Sequence, residues 1–555
     1  MPFAQPPPQL GNQYDDDRVL RAYLKRVLSP ETLKEVEPSL RELGALAGGE
    51  LYRMQLEDRR NEPALTRWDA WGRRIDRIEV TPLWRAAERV AVERGIVAAA
   101  YEGVYGAESR VYQFALAYLF AASTDLYVCP LAMTDGTARA LIASGNEALM
   151  ADALPHLTTR DPAAFWTSGQ WMTEAIGGSD VGSTETLARQ ESGTWRLYGE
   201  KWFASAIHSQ IALTLARPEG NPPGGRGLAL FHVQTRTRDG QPNRIRIEQL
   251  KDKLGTRKVP TAQIALDGTP ARLVCGTTDG VRNIVPVLNV TRIWNSVTAC
   301  ALMRRGLALA RDYALRRIAF GAPLAEKPLH LDTFAGLQAE FEAAFHLSMF
   351  VAELLGRAED MRASEQQLAL LRMLVPVAKL TTARQAVSVV SETVETFGGM
   401  GYVEETGLPA LLRDVHVLPI WEGTTNVLAL DVLHAAHAAN GLHTIAREVR
   451  FMLQAVREPG LLQLSARVER MLERSEAWLG EAEAEDAEAG ARRFAITLGR
   501  TVALALLVRQ AQWALAWDRD RRPLAAARRF AAAGIDELRE IDARDARALA
   551  RDVQD

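Results

Sequence analysis

Ile420-Trp421-Glu422-Gly423-Thr424-Thr425-Asn426 sets a single carboxylate between an apolar run and the start of a helical pattern. The residues before it, Leu418-Pro419-Ile420-Trp421, would give Glu422 low-dielectric walls. Thr424 stands where a hydroxyl caps a helix running from Thr425 to about Asn440. Burial raises a carboxylate's pKa and a helix N-terminus lowers it, so the net shift stays open. Two readings follow, a poised general base and a capping-turn glutamate.

Four segments upstream are read together with it. Gln170-Trp171-Met172-Thr173-Glu174-Ala175-Ile176-Gly177-Gly178-Ser179-Asp180-Val181 comes first, and Tyr198-Gly199-Glu200-Lys201-Trp202-Phe203-Ala204-Ser205 follows a polar turn or hairpin. Later come Arg317-Ile318-Ala319-Phe320-Gly321 and Phe397-Gly398-Gly399-Met400-Gly401-Tyr402, with Arg413-Asp414 behind. Together the five resemble the acyl-CoA dehydrogenase family of flavoproteins, whose patterns run T-E-x-x-x-G-S-D, G-x-K-x-aromatic-x-S/T, R-x-x-F-G, G-G-x-G-Y and aromatic-E-G-T. The resemblance covers roughly residues 50 to 440. Its M-T-E-x-x-G-G-S-D, K-W-F-x-S and I-W-E-G forms look closest to the AidB branch of adaptive-response flavoproteins, which also carries a long N-terminal lead and an extra C-terminal helical domain.

A chain of 555 residues exceeds one core and implies three or four domains. Its apolar fraction of 47% and charged fraction of 24% are those of a globular protein, and a formal charge of -3 argues for neither nucleic acid nor membrane. Cys129, Cys275 and Cys300 are too scattered for a disulfide framework or a zinc site, which points to reduced thiols and the cytoplasm. Met1 to Leu10 lacks the pattern of a secretory signal, and no apolar run approaches a membrane span.

Texture divides the chain further. Residues 1–50 read as an extended, charged helical lead used in subunit contacts, 51–160 as a helical domain and 161–280 as a β domain of short runs separated by Gly, Pro and Asn. Residues 281–440 return to helices, and 441–555 form a last helical block rich in arginine and without lysine. The expected class is α+β, mainly α. The resemblance implies the acyl-CoA dehydrogenase fold, a helical domain, a β-barrel and a helical bundle, with an added C-terminal helical domain.

Gly398-Gly399-Met400-Gly401 is no dinucleotide fingerprint, because it follows a helix and precedes a loop. The resemblance implies FAD, held by Met172, Thr173, Gly178, Ser179, Phe203 and Ser205 on the β side and by Trp421, Gly423, Thr424 and Asn426 beside Glu422. It also implies that Arg317, Phe320, Glu395, Gly398 and Gly399 reach the FAD of a neighbouring subunit, in a homo-oligomer expected to be a tetramer. Ser179, Arg292 and Trp294 fall where acyl-CoA is met. The implied chemistry is α,β-dehydrogenation with Glu422 as base, and electrons then pass to an electron-transferring flavoprotein.

Departures bear on substrate. The family's L-D-x-x-R reads Leu288-Asn289-Val290-Thr291-Arg292, Glu395 stands where a flavin-contacting glutamine is common, and Trp294 is either a pocket wall or a core residue. His434 and His437 share a helical spacing without the partners of a metal site. An alternative function, protection of double-stranded DNA from alkylation, rests on the AidB-like motifs and on Arg522 and Arg529 as phosphate contacts. The plainer reading of those arginines is a salt-bridged surface helix facing Asp536, Glu537 and Glu540.

Overall fold

The computed structural model describes residues 5–438, 441–539, 541 and 543–552. The first helices start where the sequence supplies caps. Asp17 accepts from the backbone N–H groups of Val19 and Leu20 to open α1 (Arg18–Val27), and Ser29 followed by Pro30 opens α2 (Pro30–Gly48). After α3 (Glu50–Glu57) comes a hairpin, β1 (Ala64–Trp68) and β2 (Arg74–Glu79), inside a region expected to be helical. Asp76 of that hairpin accepts the Ile247 N–H at 3.0 Å and ties it to the β domain. The helical domain continues with α4 (Pro82–Glu93), α5 (Ser109–Ala121), α6 (Val128–Ser144) and α7 (Glu147–Leu157).

The expected extended lead is instead part of the core. Leu20, Tyr23 and Leu24 are fully buried, and the Asp17 carboxylate accepts the Tyr118 hydroxyl at 2.6 Å and the Arg304 guanidinium at 3.2 Å.

Seven strands make the β domain: β3 (Ser168–Trp171), β4 (Leu187–Glu191), β5 (Thr194–Ser205), β6 (Ile211–Pro218), β7 (Ala229–Gln234), β8 (Ile245–Leu250) and β9 (Thr261–Leu273). They run in the order β3-β6-β4-β5-β9-β7, and β6 also pairs β7, which closes the sheet on itself; β8 pairs β9. Closure removes free edges from the barrel wall, whose interior holds Trp171, Leu197, Phe231 and Ile264.

The short α8 (Gly280–Asn283) leads into α9 (Val285–Arg316), then a two-residue hairpin, β10 (Ile318–Ala319) and β11 (Ala322–Pro323). Next come α10 (Pro328–Glu359), α11 (Glu365–Glu395), α12 (Leu408–Val415) and α13 (Thr425–His437). The final block is α14 (Gly441–Leu453), α15 (Pro459–Glu481), α16 (Ala484–Trp517), α17 (Arg522–Ala532) and α18 (Ala543–Arg551). It shares one apolar core with the preceding bundle, because α16 packs against α10, α11 and α13. Helix α16 is long and apolar enough to cross a bilayer, contrary to the expectation that no run approaches that length, but 83% of its apolar window is buried inside the protein.

Candidate active site

Glu422 lies in the loop between α12 and α13 with a left-handed backbone, φ +58°, followed by Gly423 at φ +104°. Such a conformation is strained for a residue with a Cβ and persists only when its surroundings hold it. Three elements do so here. From α9, Arg292 Nε donates to the Glu422 carbonyl at 3.2 Å; from α11, Lys379 Nζ donates to the Gly423 carbonyl at 2.6 Å. Thr291 Oγ1 donates to the Glu422 carboxylate at 2.6 Å, and the Gln170 side chain of β3 adds a second hydrogen bond.

These contacts settle the electrostatics that the motif left open. Glu422 keeps some exposed surface yet is closely surrounded by protein, and desolvation raises its pKa above the usual carboxylate value. Thr291, Arg292, Lys379 and Gln170 counter only part of that rise. A carboxylate tuned upward suits a general base working near neutral pH. The Glu422 carboxylate accepts from the Thr291 hydroxyl of α9, not from a backbone N–H of α13 as a capping glutamate would, and Thr424, the N-cap of α13, does not make the expected side-chain capping hydrogen bond.

On the barrel side, Glu174 and Lys201, which belong to two different motifs, meet in a buried ion pair at 2.6 Å. Lys201 also donates to the Leu215 carbonyl, while Glu174 accepts from Thr186 and the Glu185 N–H. This pair, together with the Trp202 N–H donated to the Thr173 carbonyl at 2.9 Å, locks the 173–179 loop against the strand carrying Phe203 and Ser205. Gly178 approaches Thr173 so closely that a Cβ would stand 2.5 Å from its hydroxyl. Met172 is partly buried against the barrel, Gly178 and Ser179 are exposed, the Phe203 ring is half-exposed, and Ser205 Oγ lies 3.2 Å from Thr261 Oγ1. Beside Glu422, the Trp421 indole N–H and the side-chain amide oxygen of Gln170 are buried with no hydrogen-bond partner among the described residues. A half-exposed aromatic ring, nearby hydroxyls and two unpaired polar atoms fit a planar, hydrogen-bonding group such as a flavin.

The remaining expected contacts lie elsewhere on the surface. Arg317 caps the C-terminus of α9, Phe320 at the β10–β11 turn is fully exposed, and Glu395, Gly398 and Gly399 lie exposed at the end of α11. Asn426 is exposed and accepts from Arg492 of α16 at 3.3 Å. Arg413 pairs with Glu404, whereas Asp414 accepts the Thr256 N–H at 2.7 Å.

Arg292 ion-pairs with Asp431 at 2.9 Å, a carboxylate it shares with Arg372 of α11. Trp294 is 1% exposed, and its N–H donates to Asp135 at 2.7 Å; it is a core residue, not a pocket wall. His437 turns its Nδ1 to the Leu433 carbonyl, and no group of three metal-ligating side chains occurs among the described residues.

Arg522 binds Asp520, and Arg529 binds Asp332 of α10 at 2.7 Å. Both are tied within the chain, though not to the acids expected. Asp536 pairs with Arg474, and Glu540 lies outside the described residues.

A separate cavity of about 80 Å³ is lined by Tyr52, Asp125, Lys258, Arg305 and Asp414. It does not include Glu422, and the loop geometry, not this cavity, locates the chemistry.

Sequence comparison finds four family matches along the chain. Residues 4–162 match the Adaptive response protein AidB N-terminal domain, 169–269 the Acyl-CoA dehydrogenase middle domain, 278–437 the Acyl-CoA dehydrogenase C-terminal domain and 440–552 the Acyl-CoA dehydrogenase 11 C-terminal domain-like family. Acyl-CoA dehydrogenase family member 11 of Caenorhabditis elegans is 42% identical over 78% of this chain and 72% of its own. The putative acyl-CoA dehydrogenase AidB of Escherichia coli is 33% identical over 70% of this chain and 72% of its own. The solved structure of Caenorhabditis elegans ACDH-11 in complex with C11-CoA superposes with a TM-score of 0.93 at 37% identity, covering 97% of this chain and 94% of that one. With its barrel between two helical domains and its carboxylate on the loop before α13, the chain belongs to the acyl-CoA dehydrogenase family.

Proposed function

We propose that this FAD-dependent oxidoreductase removes the α- and β-hydrogens of an acyl-CoA thioester, with Glu422 as the base. The observation that carries this reading is Glu422 itself, a carboxylate held in a strained backbone by donors from α9, α11 and the barrel. The Caenorhabditis elegans relative was solved with C11-CoA, which supports an acyl-CoA as substrate.

Thr173, Gly178, Ser179, Phe203, Ser205, Trp421, Gly423, Thr424 and Asn426 would hold the cofactor; the exposed Phe320, with Arg317, Glu395, Gly398 and Gly399, would complete that of a neighbouring copy in a tetramer. When bound, FAD supplies the acceptor for the β-hydrogen and its electron pair. The Glu422 carboxylate takes the α-proton and becomes the neutral acid; the Cα–H and Cβ–H bonds break and the Cα=Cβ bond forms. The Glu422 backbone N–H would donate to the thioester oxygen as enolate charge develops. We assign the role of electron acceptor to an electron-transferring flavoprotein and place the protein in a reducing, cytoplasmic compartment suited to its three free thiols.

The DNA-protection alternative draws on the AidB-like N-terminal match, but Arg522 and Arg529 already bind carboxylates of the same chain. Mixing the purified yellow protein anaerobically with short, branched and long acyl-CoAs tests the proposal. Bleaching of the flavin by one class supports it, and an unchanged spectrum across the panel contradicts it.

A further inference from the structure

Lys379 sits in the middle of α11 with no exposed surface. A buried ammonium normally has a carboxylate against it. Among the described residues Lys379 makes no ion pair, and its ammonium donates one hydrogen bond, to the Gly423 carbonyl at 2.6 Å. The charged groups around it are few. Glu422 favours its charged form and Arg292 opposes it, and burial brings its pKa down to about 7. Behind Arg292, Asp431 of α13 is shared with Arg372 of α11, and from α16 Arg492 reaches only Asn426. The acid whose charge acts on Lys379 is therefore Glu422 itself.

Two features of this arrangement bear on catalysis. Lys379 and Arg292 grip the carbonyls of two consecutive residues, Gly423 and Glu422, from opposite helices. Those two residues have the positive φ angles, +104° and +58°, that aim the carboxylate into the site. Lys379 also places a positive charge beside Glu422 with no direct ion pair between them, and that charge favours the ionised carboxylate. A cation that was only structural would be expected to have a salt-bridge partner of its own, as Lys201 has in Glu174.

We propose that Lys379 is a positioning residue for the base: it fixes the Glu422–Gly423 turn and, by its charge, sets the pH at which Glu422 becomes competent. The proposal rests on Glu422 acting as the base. Protonated Lys379 and ionised Glu422 are then a coupled pair, and the active form is the one in which the proton resides on the lysine.

The test uses FAD-loaded full-length protein with Lys379→Met and Lys379→Gln. The rate of anaerobic flavin reduction by the best acyl-CoA is followed from pH 5.5 to 9, roughly the span over which carboxylates and lysines with shifted pKa values titrate. Lys379→Met should keep its FAD and cooperative melting yet lose about tenfold or more in rate at pH 7, up to about tenfold from a shift of roughly one pKa unit and the remainder from the freed Glu422–Gly423 turn. Its half-maximal rate should move to higher pH. Lys379→Gln, which keeps a donor for Gly423 without the charge, should recover part of the rate but show the same pH displacement. A substrate-independent readout accompanies these: the pH titration of the oxidised flavin spectrum, with Glu422→Gln as the blank, should show the Glu422 transition displaced upward in both Lys379 variants. Unchanged pH profiles and titrations would overturn the proposal, as would a loss equal at every pH in both variants. If Glu422→Gln reduces flavin as fast as the native protein, it is the base assignment that has failed, and the spectral titration still decides whether Lys379 governs Glu422.

Discussion

At the scale of single residues, burial decides which charges matter. Lys201 and Glu174 are a pair with nothing exposed to water on the lysine side, and the two motifs that carry them are joined by that contact. Burial lowers the Lys201 pKa despite its partner, whereas Glu174, with donors from Thr186 and Glu185 as well, is held below the usual carboxylate value. Lys201→Met leaves the Glu174 charge buried and unpaired, and should cost about 3–5 kcal/mol in a denaturant melt, together with FAD content, because the 173–179 loop loses its anchor. A loss under about 1 kcal/mol, the value of an exposed pair, would show that the pair is not buried in solution.

Asp414 gives a prediction of opposite chemistry. Desolvation, with the nearby Asp125 carboxylate, pushes its pKa up to about 7, against the Thr256 N–H and the Arg413 and Lys253 charges that pull it down. Its folded pKa exceeds the unfolded value, so its contribution to stability is complete below about pH 4 and is lost as pH rises through 7. Asp414→Asn should flatten the fall in stability between pH 5 and 8, read as denaturant midpoints; an unaltered slope would contradict the burial of this carboxyl.

At the scale of elements, close approach sets the limits. Gly499 lets α16 cross α11 so tightly that a Cβ would stand 2.1 Å from Thr381 Oγ1. Gly499→Ala should destabilise the protein by about 1–3 kcal/mol through overpacking, and Thr381→Ala in the same chain should restore much of it. No recovery in the double variant would show that the strain lies elsewhere.

The same scale shows what a linear reading can reach. The runs Trp195–Tyr198, Ile211–Leu215 and Ile245–Ile247 announce strands by composition, and all three are strands. The β1–β2 hairpin goes unannounced because its strands are five and six residues long and β2 is two-thirds charged, so alternation has no length in which to show. Glu422 stands out as a loop carboxylate between apolar and helical runs, but Thr291, Gln170 and Lys379 do not. They lie on continuous helical or strand patterns and reach the loop only through folding across 131, 252 and 44 residues. Trp294 was legible as an aromatic on the right helix, but its burial against Asp135 depends on α6 packing beside α9.

At the scale of the whole molecule, the C-terminal block is structural in a way its composition hides. Three of its arginines tie it to the rest of the chain: Arg500 makes a two-pronged contact with Glu340, Arg509 joins Arg26 around Glu353 and the Tyr23 hydroxyl, and Arg529 reaches Asp332 at the surface. An excess of arginine over lysine suits this role, since the guanidinium fork can serve carboxylates and carbonyls together. The helical lead, the bundle and the last domain thus form one frame around α9 and α11, the two helices that hold the Glu422 loop. The most direct measurement of the account is the anaerobic rate of flavin reduction by an acyl-CoA in the native protein and in Glu422→Gln. The account predicts that the variant binds FAD and acyl-CoA as the native protein does but reduces its flavin slower by a factor of about 10² or more, as for removal of a general base; equal rates in the two proteins would contradict it.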